Sequence, residues 1–215
     1  MKIISFFLFL CVAPPGSAAV IYRATDIRLG SAIGGPYGEA TREIDVDGDA
    51  VTDWAVEFTI RRLNRFISLT DTGNTRFVFQ SINDFGGVDI VPLDGSVYLS
   101  SDLSQGGLLW MTNPSPVGFS LVRTSINDGG VFDPGPFEGL TAFLGFEFER
   151  LGQTHYGYAE VTGINGDGLI ISALAWESEP GVGIRAGAIP EPSTFALLAV
   201  GFLGVLGRRK RQASL

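Results

Sequence analysis

Four carboxylates fall within the nine residues Asp45-Val46-Asp47-Gly48-Asp49-Ala50-Val51-Thr52-Asp53. Counted from Asp45, side-chain oxygens stand at positions 1, 3, 5 and 9, and the Val51 backbone carbonyl is available at position 7. Oxygens in that alternation suit a tight loop wrapping a hard cation such as Ca2+. Asp45, Asp47, Asp49, the Val51 carbonyl and Asp53 are therefore the candidate metal ligands. Position 6, where such a loop turns sharply and glycine is usual, holds Ala50, and a non-glycine residue at positive φ costs on the order of 1 kcal/mol. The competing reading is a solvated, metal-free acidic hairpin loop, whose four like charges repel one another unneutralised.

Other chemistry is sparse. His155 is the single histidine, with no acid or nucleophile spaced to partner it, and it reads as a surface or hydrogen-bonded structural residue. No Gly-x-Ser-x-Gly elbow, His-Glu-x-x-His helix, phosphate-cradling loop or dinucleotide fingerprint occurs. Glu147 and Glu149 share one strand face, about 6 to 7 Å apart, a separation at which an acid pair could cleave a glycosidic bond; a solvated strand face explains them more simply. No catalytic residue is assigned, and the chain reads as noncatalytic. Trp54, Tyr98, Trp110, Tyr156, Tyr158 and Trp176 could stack on sugar rings, which makes a carbohydrate-binding, lectin-like module the alternative. Aromatics are enriched in strands, so each reads first as a core or pleat-packing residue.

The elements that must position these residues are strands. Trp54, Val56, Phe58 and Ile60 alternate with Ala55, Glu57 and Thr59; Phe146 and Phe148 alternate with Glu147 and Glu149. Alternation of this kind predicts strands with one wet face. Turn clusters such as Gly34-Gly35-Pro36, Asn127-Asp128-Gly129-Gly130 and Asp133-Pro134-Gly135-Pro136 divide the chain at intervals expected of an all-β sandwich or jelly roll, with about ten strands. Tyr156 to Thr162 and Leu169 to Trp176 flank Asn165-Gly166-Asp167-Gly168, residues that tolerate the positive φ of a hairpin loop.

The two ends are of another kind. Lys2, the apolar run Ile3 to Val12 and the small residues Ser17-Ala18-Ala19 form a secretory signal helix, residues 1–19, with cleavage expected after Ala19. Cys11 is the one cysteine and leaves with that segment, so neither a disulfide nor a thiolate serves the exported part. Residues 20–189, about 170 of them, suffice for one domain with a real core. Removing Lys2, Glu191 and the four bases 208–211 from the totals of 15 basic and 23 acidic side chains leaves 10 against 22, or about −12. Such a domain repels phosphates, which disfavours nucleic-acid binding, and none is expected.

From 190 onward the chain reads Pro190-Glu191-Pro192-Ser193-Thr194, an apolar run from Phe195 to Leu206, then Arg208, Arg209, Lys210 and Arg211. The run predicts a hydrophobic helix shorter than the roughly 20 residues a comfortable span needs, and the bases hold its far end on the cytoplasmic side.

This tail, residues 190–215, closely resembles the PEP-CTERM sorting signal of Gram-negative bacteria. The resemblance implies an exported protein whose precursor is held in the inner membrane by the tail helix. An exosortase-type protease then recognises the Pro-Glu-Pro turn and releases the domain to the cell surface or an exopolysaccharide matrix. The body is similar to β-rich surface proteins that carry this tail, through the Asp-rich loop before Trp54, Phe143-Leu144-Gly145-Phe146, His155-Tyr156-Gly157-Tyr158 (relatives often have Tyr-Gly-Trp) and Ala173-Leu174-Ala175-Trp176-Glu177. The acidic loop itself resembles the Asp-x-Asp-x-Asp-Gly-x-x-Asp calcium loops of β-propeller repeats, apart from Ala50.

Overall fold

The computed structural model describes residues 18–30, 40–61, 64–71, 75–81, 88–103, 107–112, 120–125, 135–164 and 168–190. These residues form an all-β structure: β1 (Val20–Leu29), β2 (Ala40–Ile44), β3 (Trp54–Arg61), β4 (Asn64–Asp71), β5 (Arg76–Ser81), β6 (Val88–Ile90), β7 (Tyr98–Leu99), β8 (Leu108–Met111), β9 (Ser120–Ser125), β10 (Thr141–Arg150), β11 (Gln153–Ile164), β12 (Gly168–Glu177) and β13 (Ile184–Arg185). Among the described residues no helix is long and apolar enough to cross a membrane. The helices expected within 1–19 and 190–215 lie outside them, apart from Ala18, Ala19 and Pro190.

The largest sheet runs β1-β12-β11-β10-β5-β6, with β8 also paired to β5; β2-β3-β4-β9 form a second sheet, and β7 and β13 a small third. All of their pairings are antiparallel. Alternation sorts the side chains as the sequence requires. Trp54, Val56 and Phe58 of β3 turn inward together with Ile67 and Leu69 of β4. They share one buried cluster with Phe77 of β5, Phe146 and Phe148 of β10, and Leu174 and Trp176 of β12. One apolar interior thus draws on both large sheets.

The expectation of one wet face per strand holds for β1, whose residues alternate, and fails over the middle of the largest sheet. Val78, Tyr156, Tyr158 and Ala175 lie in a second buried cluster with Leu93, Leu99, Leu103, Ile184 and Ala186. The covering residues come from segments 91–103 and 182–188, which cross the sheet's outer side. Leu93 and Phe143 exchange backbone hydrogen bonds of 2.9 and 3.0 Å, anchoring the first segment on β10. A sheet covered on both sides needs apolar residues on both sides, which is why β12 reads Leu-Ile-Ile-Ser-Ala-Leu-Ala-Trp rather than alternating strictly.

The expected terminal hairpin is β11–β12, closing at Ile164 and Gly168; Asn165, Gly166 and Asp167 of its loop lie outside the described residues. Gly157 has room for no side chain: a Cβ there would come within 2.6 Å of both the Ala175 carbonyl oxygen and the Phe146 ring. Its hydrogen leaves room for the Phe146 ring, from the paired residue of β10, to pack against the β11 backbone.

Candidate functional site

The Asp45–Asp53 loop joins β2 to β3 above the closing pair Ile44 and Trp54. Its aspartates organise its own backbone. Asp45 Oδ1 accepts the Gly48 N–H at 2.7 Å and Oδ2 the Ala50 N–H at 3.0 Å, Asp47 Oδ1 the Asp49 N–H at 3.1 Å, and Asp49 Oδ1 the Val51 N–H at 2.7 Å. These bonds wind the chain so tightly that Gly48 and Ala50 both take positive φ, 82° and 69°. Ala50 thus carries the strain expected at the sixth position. One oxygen from each of Asp45, Asp47 and Asp49 lies within 4.8 Å of the others.

Asp53 does not belong to that trio. Its Oδ2 accepts the Val46 N–H at 2.7 Å, and its backbone carbonyl accepts the Thr75 hydroxyl at 2.7 Å. The Val51 side chain is exposed. Two arginines that sequence spacing does not point to complete the surroundings. Arg150, at the end of β10, sits with Nε 2.9 Å from Asp47 Oδ2, and Arg23 of β1 donates to the Asp45 carbonyl.

Burial pushes the Asp53 carboxyl up to about 6, against the lowering effect of the Val46 hydrogen bond and with repulsion from Asp47, Asp45 and Asp49 adding to the rise. The folded state therefore holds this proton more tightly than the unfolded chain does, so the contribution is stabilising at low pH and is lost as pH rises through about 6. In chelator, the melting temperature of wild type relative to Asp53→Asn is expected to rise as pH is lowered from 7 towards 5. A difference independent of pH would show that Asp53 feels neither burial nor its neighbours.

The remaining candidates are dispersed. His155 is 3% exposed; its Nδ1 hydrogen-bonds the Glu177 carbonyl at 2.9 Å and its ring lies 5.7 Å from that of Phe148. It is a structural histidine inside the fold, not on its surface. Glu147, read as solvated, is 4% exposed and accepts from Arg76 Nε, its cross-strand partner on β5. Burial raises the Glu147 carboxyl despite Arg76. Glu149 is exposed, so the two glutamates occupy unlike surroundings and form no matched pair. Of the six aromatics, Trp54, Tyr156, Tyr158 and Trp176 are buried, Trp110 is half-buried, and Tyr98 is 48% exposed.

The sorting turn begins where the fold ends. Ala186 N–H donates to the Val97 carbonyl at 2.9 Å and Ala188 N–H to the Arg185 carbonyl at 3.0 Å. The Ala188 carbonyl accepts the Tyr158 hydroxyl, which burial, Tyr22 and Glu160 push up to about 12, so that it stays a donor. Pro190 is the last described residue; Glu191, Pro192, Ser193, Thr194, Arg208, Arg209, Lys210 and Arg211 lie outside. No curated protein and no solved structure matches the chain. Residues 188–211 match the PEP-CTERM protein-sorting motif, which makes this an exported protein whose membrane-anchored precursor is processed by an exosortase for display at the cell surface.

Proposed function

We propose that the chain is a noncatalytic protein of the surface or exopolysaccharide matrix of a Gram-negative bacterium, folded over residues 20–189 as one β-sandwich whose Asp45–Asp53 loop takes up calcium. The observation that carries the reading is the join at Ala188, where a strand-built body ends and the sorting motif starts. The sandwich is supported by the apolar interior that both large sheets share. A noncatalytic role is supported by the commitment of His155 to a carbonyl and of Glu147 to Arg76. Calcium is supported by the convergence of Asp45, Asp47 and Asp49. A carboxylate oxygen that accepts one N–H keeps a second lone pair for a cation. Bound Ca2+ would add to the neutralising charge that Arg150 and Arg23 bring to the loop.

The test is to recover the protein from the surface or matrix fraction of its host and melt it with millimolar calcium and with chelator. A site with Kd ten times below the calcium concentration adds about 1.4 kcal/mol. Asp47→Ala and Asp49→Ala should remove that gain, while Ala50→Gly should keep it and raise both melts by relieving the positive φ. Protein confined to the inner membrane would refute the surface role, and identical melts would return the loop to a solvated acidic turn.

Tyr98 favours a second reading, a carbohydrate-binding module. Its exposed ring borders a cleft of about 270 Å³ whose walls include Gln80, Asp94 and Leu103, an aromatic face beside polar groups. A glycan array on the exported protein, with Tyr98→Ala as control, separates it from a purely structural role.

A further inference from the structure

Both ends of the described chain meet in one place. A cavity of about 420 Å³ is lined by residues 18–20, by residues 188–190 and by Glu177. Glu177 is 5% exposed. Its carboxylate has two long hydrogen bonds, from Ser178 Oγ at 3.3 Å and the Glu179 N–H at 3.4 Å. None of the ion pairs among the described residues includes it. A carboxylate so enclosed calls for a cation. Lysine cannot supply one from the domain, because the two lysines of the chain are Lys2 and Lys210.

The strand register offers another source. Val20 is paired with Glu177, and the Ser178 N–H to Ala19 carbonyl bond of 3.0 Å marks them as a non-hydrogen-bonded pair, whose Cα atoms approach to about 4.5 Å. The Val20 nitrogen is an uncharged amide in the precursor. Hydrolysis of the Ala19–Val20 bond adds water across it: the Ala19 carboxylate departs with the leader, and the Val20 amine takes up a proton. Ser178 loses both of its partners on Ala19 in the same event, the carbonyl that accepts its N–H and the N–H that donates to its Oγ at 3.0 Å. We propose that the α-ammonium of Val20, created by leader removal, docks on the Glu177 carboxylate and pins the mature end of β1 beside the sorting turn. This ion pair rests on cleavage after Ala19 and exists in the processed protein alone.

Because the domain has no lysine, that ammonium is its single primary amine, so an amine-reactive label reports on it without background. The protein released by its host is first sequenced from its N terminus, then labelled across pH 6 to 10 in wild-type and Glu177→Gln forms. An ordinary α-amine titrates at about 7.7 to 8.0; pairing with a carboxylate should raise the wild-type midpoint by about one unit. Labelling at neutral pH should then be about tenfold faster in Glu177→Gln. A sequence that starts elsewhere than Val20 overturns the cleavage site and the proposal with it. A Val20 start with an ordinary wild-type midpoint overturns the ion pair alone, and does so whether or not the variant folds.

Discussion

Replacing Pro190-Glu191-Pro192 with three alanines is expected to leave the tail on the chain, whereas wild-type protein at the cell surface ends near that turn. The apolar run Phe195 to Leu206 would rise only about 18 Å as a helix, against about 30 Å of hydrocarbon. Such a helix would hold the precursor under mismatch, and the four bases 208–211 would favour a cytoplasmic position for its far end. The fold grips the chain as far as Ala188, so a single residue, Ile189, separates the body from Pro190. Prolines at 190 and 192 disfavour helix in the residues before them. Alanines would instead let the tail helix grow back towards the body and bury the protease's recognition turn. Intact-mass measurement of surface and membrane fractions checks this: the variant should retain Arg208 to Leu215 and stay with the membrane. Wild-type surface protein that still carries Arg208 to Leu215 would mean that the tail anchors without being cut.

Trp54→Ala is expected to remove about 3 to 5 kcal/mol of stability. The indole is fully buried, edge-on to Phe77 at 5.5 Å and tilted against Phe146 at 5.8 Å, so its removal opens a void beneath both large sheets at once. Trp54→Phe should cost much less. Trp54 Nε1 has no hydrogen-bond partner in the structure, and phenylalanine eliminates that buried, unsatisfied donor while keeping most of the ring. Urea denaturation measures both. A loss below about 1 kcal/mol for Trp54→Ala, with an unchanged urea slope, would place the indole outside the interior.

The parts of this molecule written in local pattern could be read from the chain. Trp54, Val56 and Phe58 declare an inward face by alternation, the Asn165-Gly166-Asp167 run lies between two paired strands, and the acidic loop turns at Ala50 with the positive φ its spacing demands. What stayed hidden depends on partners distant in sequence. Glu147 looked solvated because its register partner, Arg76, lies on β5. For His155 the sequence leaves surface and hydrogen-bonded positions both open, because the carbonyl it bonds belongs to Glu177 on another strand. Tyr156 and Tyr158 looked like candidate ligand-stacking rings, but segments 91–103 and 182–188 fold over them. The Leu151-Gly152 turn, with φ of 53° and 73°, is a two-residue turn of positive φ. Leucine gives no local signal for it, and the ten-pair register of β10 with β11 holds it in place.

The shared exit of the chain has a mechanical consequence. β1 closes one side of its sheet, with β12 as its neighbour in the ladder, and Val20 stands at the end of that ladder beside Pro190. Tension applied between the two termini enters and leaves through the same corner. It peels β1 from β12 one hydrogen bond at a time, starting at the Ile21 and Trp176 pair, instead of loading the ladder in parallel. A domain hung from one terminus carries no internal tension at all. The architecture therefore suits a pendant unit and yields at low force as a link in series, so any lengthwise stiffness of an assembly built from it must come from contacts between the flanks of neighbouring domains.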